Sequence, residues 1–527
     1  MASLVVYLVL LNAAILTAWL LSQRKERLPP GTKFLPGPPG KPLVGNLLEL
    51  PLQHSWLKFR EYINQYGPMV RLSIAGQNHV IIGKESIMND LLRERGTIYS
   101  DRYDAIAAVR LLCDDQFMLF LPYNEQWRKS RRFMHHVCMS SVAPTYRPEQ
   151  ALEAIRELRD IIRAPEDYQI IFECASVGIG MRLIYGQRLE SGRAPECRKI
   201  LKIVHELERV GSPGAYLVDI FPWMLHIPDF LAPWKRYLKA QRKVDEAFFT
   251  EMVDRTKRDL EKGKTARSFT KTWLESKEKW GLSNREAVWM FGSVFDAAAT
   301  STSSAMMSFV LAMVRNPEWF SKLQAEIDRV VGSDRLPTYE DMPNLPLVRA
   351  CVKETLRYYP VTAGGFPHKL TQDDVYNGYF LKAGTIVHPV QWAIHRDPEL
   401  YPDPDTFNPG RWLDPAFPTY KEPLTVYPNL QNYTAFGGGR RICQGISIAE
   451  NSTILQVAYL AWGTDIRRAK DANGVEIIPP YYDYEIGFNV APKRFKFDLT
   501  ARSEKKAELI ERAYQQSLED DPLYEKN

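Results

Sequence analysis

The chain has 527 residues, 45% hydrophobic and 25% charged, with a net charge of only +5. That length allows one large domain or several around a sizeable core. The composition argues against intrinsic disorder, and so mild a charge gives no support to nucleic acid as the main partner. Six cysteines, at positions 113, 138, 174, 197, 351 and 443, form no CxxC pair. They offer no zinc or iron–sulfur site, and all but Cys443 read as buried free thiols in a reducing compartment.

Residues 4–21 are uncharged and mostly apolar, and Arg24, Lys25 and Arg27 follow them. Such a helix would span about 27 Å, close to a hydrocarbon core. Basic residues behind the apolar run favour a retained anchor over a cleaved signal peptide, with the bulk of the protein on the cytoplasmic side. A cluster of prolines and glycines from Pro29 to Pro42 then stops both helix and sheet and reads as a stiff hinge. Segments 69–75 and 79–83 alternate around Gly76-Gln77-Asn78 and predict a β-hairpin. Helical patterns dominate from about 84 to 357, and strand-like pieces return near 375–387 and after 474. The expected organisation is an anchor over 1–23, a hinge over 24–45, one mainly α domain with small β-sheets over 46–500, and a charged peripheral tail over 501–527. Segment 287–314 is apolar enough for a second span, with Asp296 its single charge. Its many hydroxyls and missing basic flank predict instead a central helix buried on most faces.

Three groups of residues carry chemistry. Trp127 and Arg131 stand four apart on a basic helix, where an indole and a guanidinium on one face suit an anion. Glu354 and Arg357 stand three apart among apolar neighbours, and Arg411 in Asn408-Pro409-Gly410-Arg411-Trp412 could complete a buried charge network. Cys443 lies in a glycine-rich bend, two residues after Arg441 and just before an apolar run from Ile446. Backbone N–H groups and a helix N-terminus would stabilise its thiolate, as a nucleophile or as an axial iron ligand.

Taken in order, these motifs resemble the cytochrome P450 family of haem-thiolate monooxygenases, most closely its membrane-bound fungal members. Phe436, Gly439, Arg441, Cys443 and Gly445 fill FxxGxRxCxG; Glu354 and Arg357 fill ExxR; Pro409, Arg411 and Trp412 fill PxRW; Trp127 and Arg131 fill WxxxR. The resemblance implies the cytochrome P450 fold and a haem b with Cys443 as proximal thiolate. Arg441, Trp127, Arg131 and His368 would hold the propionates, with Phe436 in the haem loop and Glu354, Arg357 and Arg411 as a structural triad. It further implies an endoplasmic reticulum membrane location, dioxygen, a lipophilic substrate and an NADPH-dependent cytochrome reductase. The chain carries no GxGxxG of its own to bind a nicotinamide or flavin. Arg128–Arg132 with Arg440 and Arg441 are candidates for docking that reductase.

One motif departs from the family pattern. Where (A/G)GxDT is usual, the chain has Ala298 at the glycine, Thr300 at the acid and Ser301 at the threonine. Thr300 and Ser301 are thus the candidate catalytic hydroxyls. Either they order water for proton delivery, or the enzyme rearranges or dehydrates a substrate that already carries oxygen; a haem-binding protein without turnover is a third reading. Segments 103–120, 216–234, 361–366 and 484–488 map onto substrate regions, and their apolar content suits a terpenoid, polyketide or indole alkaloid. The sequons at Asn432 and Asn451 flank the haem loop and are set aside as glycosylation sites.

Overall fold

Ala75 and Gly76, both at positive φ (48° and 85°), close a two-residue turn between β1 (Met69–Ile74) and β2 (Gln77–Ile82). Positive φ at both turn positions matches the right-handed twist of the paired strands. Gln77 and Asn78 therefore belong to the second strand rather than to the expected turn. The structure, a computed structural model, describes residues 28–189, 195–212, 214–263 and 266–524. The expected anchor over 4–21 lies outside these residues. The described part of the proline-rich hinge packs on the sheet: Leu35 is buried, Pro36 O accepts from Arg71 N, and Arg71 covers the Phe34 ring.

The hairpin belongs to a five-stranded sheet of order β1-β2-β7-β4-β3, with β3 (Asp101–Arg102), β4 (His368–Lys369) and β7 (Ile386–Pro389). β2 and β7 run parallel; the remaining pairs are antiparallel. The strands expected near 375–387 are a small hairpin, β5 (Asp374–Tyr376) with β6 (Tyr379–Leu381), followed by β7. After 474 the expected strands reduce to isolated bridges, among them Tyr484–Pro492, and to β9 (Asp498–Ala501), which pairs with β8 (Thr464–Arg467).

Nine helices carry the argument: α1 (Glu125–Cys138), α2 (Arg147–Arg163), α3 (Tyr168–Gly180), α4 (Pro195–Gly211), α5 (Pro233–Glu261), α6 (Asn284–Arg315), α7 (Pro346–Tyr358), α8 (Ile446–Gly463) and α9 (Glu504–Glu519). A capping box starts α6: Ser283 Oγ accepts from Glu286 N, and Glu286 Oε2 accepts from Ser283 N. Among the described residues α6 is the one helix long and apolar enough to cross a membrane. Its most apolar window is 78% buried, against α3, α5, α7 and α8, so it is the core helix the hydroxyl pattern predicts.

Two expectations need correction. Cys174 and Cys197 are not free thiols but form a disulfide between α3 and α4. Packing of the two helices brings the sulfurs together, and a 23-residue separation carries no motif to announce it. Cys113, Cys138 and Cys351 are the buried free thiols. Nor is the C-terminal tail peripheral. α9 buries Ile510 against the core, and beyond it Asp521 accepts two hydrogen bonds from the buried Arg182, at 2.9 and 2.6 Å.

Burial opposes ionisation of Asp521, but the hydrogen bonds and charge of Arg182, with the charge of Arg188, outweigh it and hold the carboxyl below its usual value. A depressed folded-state pKa contributes stability that is present above the unfolded value and lost as pH falls through the folded one. Asp521→Ala should therefore destabilise the protein by about 3 kcal/mol at neutral pH. The difference from wild type in denaturant midpoint should shrink once pH falls below ~4.

Candidate active site

Cys443 is reached by a turn that only glycine can make. At Gly439 φ is +62°, and a Cβ would lie 1.7 Å from Leu92 O. Cys443 N then donates to Phe436 O at 2.9 Å, and α8 begins three residues later. Cys443 is exposed, and it lines a cavity of about 360 Å³. Burial pushes the thiol pKa up, while the Gly445 N–H and the Arg131 charge pull it down. The thiol pKa stays above its ordinary value, and these two groups limit the rise.

Around the same cavity stand three guanidinium groups, none paired with a carboxylate among the described residues. Arg441 donates from Nε to Ser100 O (2.9 Å) and from Nη2 to Leu121 O (2.8 Å), and it stacks on the Trp127 ring. Its Nη1 is buried without a partner. Arg131, one helical turn beyond Trp127 on α1, donates to Ile442 O at 2.6 Å. Arg102 donates to Leu119 O and Pro367 O. Burial, with the charge of Arg102, lowers the Arg441 pKa to about 8; burial also lowers Arg131 to about 10, and burial with the Arg131 charge lowers Arg102 to about 10. The arrangement is unfavourable for the empty protein and is relieved by an anion. His368 pairs across the sheet with Arg102 and donates from Nδ1 to Tyr99 O at 2.7 Å. Burial and the Arg102 charge hold its ring neutral, so Nε2 gains a proton only beside an arriving negative charge.

A third cluster lies fully buried and contains its own counter-ion. Glu354 accepts from Arg357 (2.8 and 2.9 Å), Arg411 (3.1 Å), Trp412 Nε1 (3.1 Å) and Asn408 N (2.8 Å). The remaining guanidinium donors reach the carbonyls of His395, Pro402, Pro404 and Thr406. This network ties α7 to the loop that leads toward Cys443.

To the same cavity as Cys443, α6 presents Ala298, Ser301, Thr302 and Ala305, together with Asp296. Ser301 Oγ donates to Ala297 O at 2.7 Å. Thr300, expected beside it, faces away: successive helical residues point about 100° apart, and its hydroxyl lies in a second cavity behind α6. The lining as a whole is mostly apolar, with Asp296, Ser293 and Thr362 among its polar members. Met118 and Leu119, Val361 and Phe366, and Phe488 come from three of the expected substrate segments. Segment 216–234 contributes nothing to this lining, because it lies at the surface with Trp223 and Phe230 exposed. Ile179, Leu183 and Ile184 line the cavity in its place. Sequence reasoning missed these three residues, and it missed Arg102, whose only signal is a lone arginine ahead of an apolar segment.

Orphaned arginine donors and a thiolate seat on one cavity fit a planar iron cofactor that carries carboxylates. A sequence model of the cytochrome P450 family matches residues 35–458. A cytochrome P450 monooxygenase of Armillaria gallica is 36% identical over 485 residues, covering 92% of each chain. A cytochrome P450 monooxygenase of Postia placenta is 34% identical over 502 residues, 95% of this chain and 94% of its own. The fogE monooxygenase of Aspergillus ruber is 33% identical over 520 residues, 98% and 95% respectively. The chain belongs to the cytochrome P450 family. It is a monooxygenase, an oxidoreductase whose family takes haem with cysteine-thiolate ligation and implies a reductase, dioxygen and a small-molecule substrate.

Two substitutions separate the two arginine clusters. Glu354→Gln should lower folding stability by about 3–5 kcal/mol, since it strands two buried guanidinium groups; chemical denaturation measures this. Arg441→Leu should leave stability nearly unchanged but weaken haem retention. Loss of charge-assisted hydrogen bonds of about 1.5–3 kcal/mol corresponds to roughly tenfold to hundredfold in affinity, read as haem per protein during transfer to apomyoglobin.

Proposed function

We propose that this monooxygenase inserts one oxygen atom of dioxygen into a lipophilic small molecule, as a tailoring hydroxylation or oxidation in fungal secondary-metabolite biosynthesis. The observation that carries this reading is the cavity itself: a mostly apolar chamber lined by both the Cys443 sulfur and Ser301. Relatives named fogE, virE and verL, from Aspergillus ruber, Hypocrea virens and Clonostachys rogersoniana, support the pathway class.

Haem b, when bound, supplies iron that binds and reductively activates dioxygen. The protein's residues do the rest. Cys443 would hold the iron, with the Gly445 N–H and Arg131 favouring its charged form. Arg441, Arg131, Arg102 and His368 would hold the carboxylates. Met118, Val361, Phe366 and Phe488 exclude water and hold an apolar substrate by burial. Ser301 would offer a hydroxyl to the reacting oxygen, and small residues at Ala298 and Ala305 leave room beside it.

Electrons come from a membrane-bound, NADPH-dependent reductase, because the chain has no nicotinamide fingerprint of its own. Of the basic residues considered for docking, Arg131 and Arg441 are engaged at the cavity. The docking face therefore reduces to the exposed Arg128, Arg132 and Arg440. Residues 4–21 anchor the protein in the endoplasmic reticulum membrane with the catalytic domain in the cytoplasm. In microsomes with a reductase and ¹⁸O₂, a product carrying one labelled oxygen is expected. A product formed without label, or without need of the reductase, would show a rearranging or dehydrating enzyme and overturn this reading.

A further inference from the structure

Behind α6 lies a second cavity, of about 530 Å³, and its chemistry is the opposite of the first. Thr300, Ser303, Ser304 and Met307 line it, and their i, i+3, i+4, i+7 spacing places them on one helix face, away from Ala298, Ser301 and Ala305. Its other walls come from α3, α4 and the loop after Tyr484. They carry Glu173, Glu208 and Glu485, with Glu166 and Asp167 at one end and only His205 and Arg494 as basic groups.

One residue belongs to both cavities. Asn489 Nδ2 donates to Glu208 Oε1 at 2.8 Å and to Thr300 Oγ1 at 3.1 Å. Its Oδ1 accepts from Thr362 Oγ1 at 3.1 Å, and Thr362 lines the substrate cavity. Glu208 is thus a buried carboxyl at the wall between a polar chamber and an apolar one. Three residues earlier on α4, the half-exposed His205 pairs with Glu173 at 3.2 Å. On α6, the Thr300 hydroxyl also meets the Glu208 carboxyl.

We propose that Glu208 holds the proton used in this enzyme's oxygen chemistry, filled from the polar cavity by way of His205 and Glu173. The proton passes toward Ser301 by the hydroxyls of Thr300 and Thr362 and solvent admitted by the polar cavity. Asn489 fixes the carboxyl and both hydroxyls in register. The proposal rests on the monooxygenase reading. Insertion consumes substrate RH, dioxygen, two electrons and two protons and yields ROH and water. The electrons come from NADPH through the reductase, so the two protons must cross from solvent to a cavity whose lining is mostly apolar.

The surroundings suit a carboxyl that exchanges protons near neutrality. Burial raises the Glu208 pKa to about 7, against the hydrogen bonds of Thr300 and Asn489 and the His205 charge, with Glu173 adding to the rise. The Glu173 hydrogen bond raises the His205 pKa against burial. On α6, Asp296 lines the first cavity rather than the polar one, with Oδ1 buried and without a partner among the described residues; burial and the charges of Glu208 and Asp245 push its pKa far up, so its carboxyl keeps its proton. Glu208 acts through other groups and does not touch the reacting atoms.

The test uses the full-length haem-loaded protein. Without turnover, infrared difference titration of the wild type should show a protonated-carboxyl band that disappears as pH rises through about 7. The band should be missing in Glu208→Gln, retained in Glu208→Asp, and shifted to higher pH in Thr300→Val, which lacks the hydroxyl that favours the ionised form. With reductase, NADPH and dioxygen as the only probe, two electrons and two protons give hydrogen peroxide, and four of each give water. Glu208→Gln should cut the water-forming share by about tenfold or more relative to wild type, and Glu208→Asp should restore much of it. A wild-type spectrum with no band lost in Glu208→Gln overturns the proposal, as does an unchanged peroxide share in a Glu208→Gln protein with normal haem content. If Glu208→Gln fails to bind haem, the Thr300→Val titration decides, and an unshifted band overturns the proposal. None of these outcomes depends on the ¹⁸O experiment, whose failure would strike the monooxygenase reading instead.

Discussion

The structure is organised around the cost of placing guanidinium groups out of water, and it meets that cost in two different ways. At Arg357 and Arg411 the counter-charge is built in. Glu354 receives donors from both arginines, from an indole and from a backbone N–H, and nearby carbonyls take the remaining donors. At Arg102, Arg131 and Arg441 no carboxylate is supplied, carbonyls satisfy only part of the donor set, and one Arg441 nitrogen points at nothing. A cluster with its own counter-ion is finished structure. A cluster without one is a binding site for an anion, and the Cys443 sulfur beside it says that the anion comes attached to a metal.

This contrast explains why the cofactor site could be read from sequence while its full membership could not. Glu354 with Arg357, and Pro409 with Arg411 and Trp412, are each local in the chain, and so is the glycine-rich turn around Cys443. Spacing alone exposes them. Arg102 enters the site because β3 pairs with β4 and sets it opposite His368, a contact across more than two hundred residues with no local pattern. The same holds for Asn489, which joins α4 to α6 from an irregular loop where strands were expected. The Cys174–Cys197 disulfide and the Arg182–Asp521 pair are likewise products of helix packing, and neither cysteine spacing nor tail charge announces them.

Composition misleads in a related way. Segment 216–234 is rich in aromatic and aliphatic side chains, which suggested a role in holding an apolar substrate. In the folded protein Trp223, Phe230 and Leu231 are exposed, and the substrate cavity is lined instead by Ile179, Leu183 and Ile184. An apolar side chain records only that some surface must be covered. Which surface it covers is decided by the helices around it.

The helix over the cavity shows most directly how position governs chemistry. Thr300 and Ser301 are adjacent in sequence and similar in side chain, so alignment treats them as one acid–alcohol pair. The helical twist turns them roughly 100° apart, and they open onto two cavities of opposite character. Ser301 lines the cavity that holds Cys443. Thr300 stands at the rear, against a carboxyl from α4 and the amide of Asn489. An acid absent from position 300 is therefore supplied beside it by Glu208 of α4. Proton supply can come from a neighbouring helix because α4, α6 and the loop around Asn489 are held in mutual register by hydrogen bonds at 2.8 and 3.1 Å.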